Sequence, residues 1–387
     1  MIKYRAAWVF TGQGEPIRDG VIEVVDRQII ALRKYSFQEQ IDCDLGESLV
    51  TPGFYNAHTH LDLGALHGKI PAADSLVSWI PEVLRYRRKY ELEEWDTSIQ
   101  HGLAASLRAG TVRLADISVG GRSANLLAGS PIASEVYLEL IGLAEDRLPA
   151  LLEQAEHWLN TDSQSPERCL SPHAPYTVSA RLLQRLSESF PRTKIAMHVA
   201  ESQEELELLA TKSGPFRAFL MSVEAWHPEQ LVPSIDDLLA LLQQFKEIQL
   251  IHGNYLQREQ WQKLPRKTTV VYCPRTHAYF GHSPHPYLQM LADGVSVALG
   301  TDSLASNPDL SLLQECRFLW NRDRSELTGE TLMKLACHEQ DRLAAGSPAN
   351  FVVIPQKTGE PDPWEALWAS SLSPTHVCTC SHLSDFT

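Results

Sequence analysis

Short apolar runs alternate with longer amphipathic segments along most of this chain. Between the runs, leucine and alanine recur at helical spacing, as in EEWDTSIQHGLAASLRAG, which ends at Gly110. The runs, six to nine residues long, are GFYNAH (53–58), TVRLADIS (111–118), IASEVYLEL (132–140), RCLSPH (168–173), KIAMHV (194–199), IQLIHG (248–253), TTVVYC (268–273) and SVALGTD (296–302). Eight strand-then-helix units predict an α/β fold of the (β/α)8 barrel type, with a doubly wound open sheet as the competing interpretation.

Six polar residues stand at or near the carboxyl ends of five of these runs, or directly after them. They are His58, His60, His173, His198, His252 and Asp302. In a barrel all strand ends of this polarity meet at one face, where the active sites of such barrels lie. Side chains at i and i+2 of a strand also point to the same side. The pattern therefore predicts a metal site at this face.

Three imidazoles and one carboxylate supply a plausible ligand set. His58, His60 and His198 offer nitrogen atoms, and Asp302 offers oxygen. Zinc in catalytic sites typically takes three or more protein ligands and keeps a position for water. We therefore expect one divalent metal ion, zinc, with iron as the alternative.

Glu201 and His252 are the predicted proton carriers, together with Asp302. Glu201 lies three residues after His198 in MHVAES, within reach of the reacting groups, although a glutamate there also suits a helix N-terminus. His252 is either a fifth ligand or a group that steers the attacking water. No lysine lies between Lys89 and Lys194, so a carboxylated lysine cannot bridge two metals from strands two to four, whereas Glu139 stays open as a bridge.

Composition and charge narrow the classes of partner. The chain has 387 residues, a net charge of −14 and 43% apolar residues. This acidity argues against a nucleic-acid partner. No apolar run approaches the roughly 20 residues that span a bilayer, and the N-terminal run is too short for a signal peptide. Seven scattered cysteines fit a reduced, cytoplasmic protein. We expect no membrane partner and leave homo-oligomer formation open.

Six motifs in order resemble the amidohydrolase superfamily, and within it the ATZ/TRZ group of metal-dependent aminohydrolases. They are PGFYNAHTHLDL, SPHAPYTVS, MHVAES, IHGNYL, VYCPRTHAYFGH and VALGTDSLASN, spanning Pro52 to Asn307. The resemblance implies a mononuclear metal site with the ligands named above and Glu201 and His252 as proton carriers. It also implies a hydrolase of non-peptide carbon–nitrogen bonds, a cyclic amidine deaminase that releases ammonia from a small heterocycle.

The resemblance extends to the flanks and to the substrate. Family members build a small β domain from both chain ends, which implies such a domain from 1–50 and 346–387 around a barrel at 51–345; GSPANFVVI (346–354) resembles the return strand. The nearest groups are adenosine-type deaminases, including those of aminodeoxyfutalosine and of methylthioadenosine/S-adenosylhomocysteine.

Three further residues are predicted to bind the substrate. His173 matches a substrate-contacting position of the group, and Trp79 lines the pocket or else packs a helix. Arg147, with Arg122 as the alternative, is a candidate partner for a carboxylate at the far end of aminodeoxyfutalosine, since an arginine fork suits a carboxylate. A solvated surface role is the ordinary alternative for both.

Two other functions compete with the deaminase. A hydrolase of triazines or other heterocycles uses the same scaffold with a different leaving group. A barrel without chemistry, acting as a binding protein, belongs to another class, and the intact set of ligands and proton carriers argues against it.

Overall fold

The computed structural model describes residues 1–71, 73–161, 166–356 and 361–378. No helix within these ranges is long and apolar enough to cross a bilayer. The chain starts with five strands, at Ile2–Val9 (β1), Ile17–Val25 (β2), Gln28–Lys34 (β3), Cys43–Asp44 (β4) and Ser48–Pro52 (β5).

Eight parallel strands then form a barrel in strict sequence order. They are Phe54–Thr59 (β6), Thr111–Ser118 (β7), Ala133–Leu140 (β8), Glu167–Pro172 (β9), Lys194–Val199 (β10), Glu247–His252 (β11), Thr268–Tyr272 (β12) and Ser296–Leu299 (β13). Each of the eight predicted runs corresponds to one of these strands, and two coincide in both bounds. The predicted (β/α)8 barrel is confirmed, and the open sheet is wrong.

Hydrogen bonds between the end of β13 and the end of β6 close the barrel. The backbone N–H groups of Thr301 and Asp302 both donate to the carbonyl oxygen of His58, each at 3.1 Å. Gly300 lies against the same residue, because a Cβ there would stand 2.8 Å from the Cβ of His58. Asn56 adds a side-chain bond at 2.8 Å to the hydroxyl of Thr301. The first and last strands are therefore joined at the mouth of the barrel.

Helices surround the barrel and cover its mouth. Their bounds are Leu76–Arg87 (α1), Leu92–Arg108 (α2), Ser123–Leu127 (α3), Leu148–Asn160 (α4), Ala180–Ser189 (α5), Gln203–Thr211 (α6), Pro215–Ser222 (α7), Ile235–Leu242 (α8), Arg258–Trp261 (α9), Pro274–Tyr279 (α10), Tyr287–Ala292 (α11), Leu312–Asp323 (α12), Gly329–Ala336 (α13) and Pro363–Trp368 (α14). Serine caps start several of them; Ser234, for example, accepts from the N–H of Asp237, as its position before α8 predicts.

Both chain ends contribute to a second sheet. Phe351–Pro355 (β14) and His376–Cys378 (β15) complete it, in the order β15-β14-β5-β1-β2-β3, with β4 beside β1. The predicted return strand thus pairs antiparallel with β5, the strand that leads into the barrel. The division of the chain at residues 50 and 345 stays a prediction, and residues 357–360 and 379–387 of the predicted β domain lie outside the described ranges.

The C-terminal part also reaches the barrel helices. Trp368, at the end of α14, is fully buried, and its indole N–H donates to the carbonyl of Gly329 at 3.2 Å. Helix α14 packs against α12 and α13. The segment predicted as part of the β domain therefore contains a helix that packs on the barrel.

Two buried carboxyl groups tie the turn after β6 to β7. Asp116 accepts from the N–H of Leu61 at 2.9 Å, and Asp62 accepts from the N–H of Val119 at 3.4 Å. Burial, followed by the charge of Asp62, raises the pKa of Asp116 to about 8. The folded protein therefore holds a proton on Asp116 through the neutral range.

Replacing Asp116 by Asn tests this proton. In the unfolded chain the carboxyl loses its proton near its ordinary pKa of 3.8, whereas in the folded protein its pKa is about 8. The stabilisation is therefore complete below the unfolded pKa and falls as pH rises to 8, by at most about 1.4 kcal/mol per pH unit. We expect the free energy of unfolding of wild type, relative to Asp116→Asn, to fall between pH 5 and 8 in urea titrations. A difference that does not vary with pH would contradict the assignment.

Candidate active site

Three histidines form a tight group at the mouth of the barrel. His58 and His60 stand at the end of β6 and just beyond it, and His198 stands near the end of β10. One nitrogen of each ring lies within 4.8 Å of those of the other two. In the described part of the chain this is the one group of at least three histidine, cysteine, aspartate or glutamate side chains with metal-binding spacing.

Asp302 lies beside this group and follows β13, the strand that closes the barrel against β6. Its Oδ1 lies 3.6 Å from Nε2 of His58 and 3.8 Å from Nε2 of His60. Its φ of 56° places it in the left-handed region. Non-glycine residues adopt that region at a cost of about 1–3 kcal/mol, and such strain is frequent at functional sites. The structure thus brings together all four residues predicted as ligands.

The donor chemistry of this group fits a divalent metal. His58 is fully buried, and neither of its ring nitrogens has a hydrogen-bond partner among the described residues. A buried polar atom without a partner costs free energy, and a metal ion would satisfy it. Burial lowers the pKa of His60 and His198 well below the ordinary value, so both rings are neutral, as ligands must be.

His173 contributes through its backbone as well as its side chain. Nδ1 of His198 lies 2.9 Å from the carbonyl oxygen of His173. Because a carbonyl only accepts, Nδ1 carries the proton, which leaves Nε2 of His198 unprotonated and available as a ligand. The ring of His173 itself bonds through Nδ1 to the hydroxyl of Thr177 at 2.8 Å and lines the cavity with its other edge.

Glu201 and His252 form a pair beside the histidine group. Oε1 of Glu201 lies 3.2 Å from Nε2 of His252, and both side chains are buried. Burial raises the pKa of Glu201 well above its ordinary value, and the charges of Asp302 and Glu205 add to the shift. The arrangement suits proton transfer, since a carboxyl group and an imidazole lie within hydrogen-bond distance.

Glu205 is a supporting residue that the sequence reasoning missed. Its fully buried carboxylate accepts from the N–H of Ala200 at 2.8 Å and from the N–H of Glu201 at 2.9 Å. Both bonds hold the turn that carries Glu201 from β10 into α6. The ESQEEL stretch predicts the helix start, but only the fold shows that this glutamate binds the preceding turn.

A cavity of about 250 Å³ opens above these residues. Its floor is polar and includes His60, His198, Glu201, His252 and Asp302, whereas its walls are mostly apolar. The walls come from α1, from α7 with the residues after it, and from Phe280. Trp79 is buried and lines this space, and its ring also packs edge-on against Phe280 at 5.5 Å. Trp79 therefore has both of the roles considered for it.

Neither predicted arginine lies at this cavity. Arg147 ends an exposed helical turn and is not among the residues that line the space. Arg122 binds the carboxylate of Asp96 at 2.7 and 2.8 Å, away from the cavity lining. The charged residues of the wall are instead Arg87, at the end of α1, and Glu139, on β8.

Arg87 is loosely paired. Its Nη2 lies 3.8 Å from Asp62 and 3.9 Å from Glu139, beyond hydrogen-bond distance. Helical spacing offered a way to find it, because Trp79, Val83 and Arg87 follow one another at i, i+4 and i+8 and all three line the cavity. Extending the face of Trp79 along α1 therefore leads to Arg87.

Comparisons with known proteins agree with this architecture. A model of the amidohydrolase family matches residues 49–367. The 5-methylthioadenosine/S-adenosylhomocysteine deaminase of Pyrococcus furiosus is 29% identical over 336 residues, covering 82% of this chain and 72% of that protein. The aminodeoxyfutalosine deaminase of Deinococcus radiodurans is 28% identical over 342 residues, covering 80% and 78%.

A solved structure shares the whole fold. Aminofutalosine deaminase of Helicobacter pylori, in complex with methylthio-coformycin, superposes with a TM-score of 0.84 at 21% identity, covering 98% of this chain and 99% of that one. The family match includes every barrel strand and most of the paired strands β5 and β14 on either side. The resemblance seen in the sequence motifs is confirmed, and the chain belongs to the amidohydrolase family.

Proposed function

We propose that this protein is a metal-dependent hydrolytic deaminase of an adenine-type nucleoside. The proposal rests on one observation: two sets of polar side chains lie together at the floor of the cavity. Three imidazoles and Asp302 form the ligand set, and the Glu201–His252 pair lies beside it at 3.2 Å. Ligands and proton carriers side by side are what the hydrolysis of a carbon–nitrogen bond requires.

His58, His60, His198 and Asp302 would hold one divalent ion, with zinc as the first choice and iron as the alternative. Imidazole nitrogen with one carboxylate oxygen suits zinc. When bound, the ion lowers the pKa of a water molecule towards neutrality and so makes a nucleophile available at neutral pH. We leave Glu139 out of this set, because its carboxylate lies beside Nη2 of Arg87 at 3.9 Å and Nε2 of His173 at 4.0 Å and does not join the histidine group.

The chain's own residues manage the protons of the reaction. Water adds to the ring carbon that bears the exocyclic amine, and His252 with Asp302 accepts the proton that this water loses. Glu201 donates a proton to the adjacent ring nitrogen. The amine takes up the proton held by His252 and Asp302, the bond from carbon to the amine breaks, and ammonia leaves. The hydroxyl group that remains on the carbon returns a proton to Glu201 and becomes the carbonyl oxygen. The apolar walls from α1 and α7 exclude bulk water from the reacting groups.

The cavity and the relatives both favour a nucleoside. A space of about 250 Å³ with apolar walls accepts a flat heterocycle with one substituent. The relatives reported above are deaminases of methylthioadenosine, S-adenosylhomocysteine and aminodeoxyfutalosine by name. Aminodeoxyfutalosine is our first candidate, and methylthioadenosine and S-adenosylhomocysteine follow.

A screen for ammonia release tests the function. Purified zinc-loaded protein would be assayed with aminodeoxyfutalosine, methylthioadenosine, S-adenosylhomocysteine, adenosine, guanine, cytosine and triazines. We expect an adenine nucleoside to give the highest kcat/KM. A triazine or pyrimidine preferred over every adenine nucleoside would overturn the substrate class, and chloride release from a chlorotriazine would indicate the other leaving group. Bound metal without turnover would support a binding protein.

Glu201→Gln separates the chemistry from metal binding. The amide keeps the shape of the side chain but cannot transfer the proton, so we expect kcat to fall about 10²–10⁴-fold. Metal analysis should still find one divalent ion per chain. His198→Ala is the matched variant, and it should lose the ion together with activity. If Glu201→Gln also lost its metal, the residue would be a ligand, and two tightly held ions per chain would refute the mononuclear site.

Arg87→Ala tests recognition of a substrate carboxylate. Because its pairing with Asp62 and Glu139 is loose, Arg87 retains N–H groups for a ligand. A charge-assisted hydrogen bond contributes about 1.5–3 kcal/mol, so KM for acidic aminodeoxyfutalosine should rise about tenfold or more, with a smaller change for adenosine. Arg147→Ala is the matched control and should leave both KM values unchanged. Equal effects of Arg87→Ala on both substrates would refute the assignment.

A further inference from the structure

A second histidine, His285, contacts the backbone of His252 and does not line the cavity. His285 lies in the loop between α10 and α11 and is only 6% exposed. Its Nε2 is 2.8 Å from the carbonyl oxygen of His252. Because that oxygen only accepts, Nε2 carries the proton and donates it. Its contact is therefore with His252 and not with a molecule bound in the cavity.

The backbone of His252 needs such support. Its φ of 69° lies in the left-handed region, as does that of Gly253, at 64°. For histidine this conformation costs about 1–3 kcal/mol and persists only where surrounding contacts fix it. On one side, the N–H of Gly253 donates to the carbonyl of Val199 at 3.0 Å. The bond from His285 fixes the carbonyl of His252 itself.

His285 is held firmly in its own place. Its ring stacks on Tyr272 with centroids 4.0 Å apart and planes at 22°. Nη1 of Arg322 donates to the hydroxyl of Tyr272 at 3.1 Å, and the guanidinium of Arg322 also binds Asp323. Tyr287 donates to the same Asp323 at 2.5 Å. A column of packed and hydrogen-bonded side chains therefore connects α12 with the backbone of His252.

We propose that His285 is a positioning residue that orients His252 towards Glu201. The peptide group of His252 determines where its imidazole points. In the structure this places Nε2 3.2 Å from Oε1 of Glu201, so that the two proposed proton carriers face the same reacting atoms. Loss of His285 should therefore slow the chemical step and leave the binding of substrate and metal unchanged, since His285 contacts neither the cavity nor the histidines of the ligand set. The inference rests on the proposed deaminase function.

The test compares His285→Leu with His285→Gln. Leucine removes the donor while keeping the site apolar, and glutamine places an N–H near the position of Nε2. For His285→Leu we expect kcat on the best adenine nucleoside to fall about 10–100-fold, the range for residues that orient site groups. KM and metal content should stay within about twofold. His285→Gln should recover most of the rate.

A neighbouring histidine supplies the control. His282 lies in the same loop and bonds to the hydroxyl of Tyr255 at 3.1 Å without hydrogen-bonding to His252. His282→Gln should keep both kcat and KM. An unchanged kcat in His285→Leu would overturn the inference, as would a rate loss that glutamine fails to recover while thermal stability falls in parallel.

A structural readout keeps the inference separate from the function. In a crystal structure of His285→Leu we expect residue 252 to leave the left-handed region, or its ring to move away from Glu201. This result is informative even if wild type deaminates none of the substrates, which would refute the proposed function alone. An unchanged backbone and ring position at His252 would refute the positioning role.

Discussion

The closure between the last and the first barrel strand is the contact on which the whole site depends. Two N–H groups, from Thr301 and Asp302, converge on the carbonyl of His58. Only glycine at position 300 lets the strands approach so closely. This contact places Asp302 within 4 Å of two imidazoles that lie more than 240 positions earlier in the chain. A shift of one residue in register would turn the side chains to the other face.

Burial acts in opposite directions on the two kinds of titratable group at the mouth. It lowers the pKa of His60, His198 and His252 and raises that of Glu201. A dry pocket disfavours every isolated charge, so burial favours the neutral form of these three imidazoles and the protonated form of the Glu201 carboxyl. One physical cause therefore produces neutral imidazoles and a protonated carboxyl side by side, as the roles proposed for them require.

Local sequence patterns predict the barrel strands and the polar residues at the floor of the cavity. Contacts between segments far apart in the chain cannot be predicted from such patterns. Strands such as β7 and β10 are apolar runs with clear ends. Because the parallel strands of a barrel all end at one face, residues at their carboxyl ends lie close together. Arg87 shares a face of α1 with Trp79, but only the packing of α1 across the mouth shows that this face lines the cavity. The prediction of Arg147 rests on its loop alone and does not include that packing. The column behind His252 and the packing of α14 likewise join segments far apart in sequence, which no local pattern reports.

The pairing of β14 with β5 also bears on how the molecule is made. Strand β5 runs almost directly into β6, which carries His58, yet its partner at Phe351–Pro355 is synthesised about 300 residues later. Asp302 likewise emerges long after the histidines that it approaches. A ribosome synthesises the chain from the N-terminus. Strand β6 is therefore made before β13, its neighbour in the closed barrel, and β5 is made before its partner β14. Assembly of the mouth is therefore a late, long-range event, and the chain must stay soluble with unpaired strands until most of it has been translated.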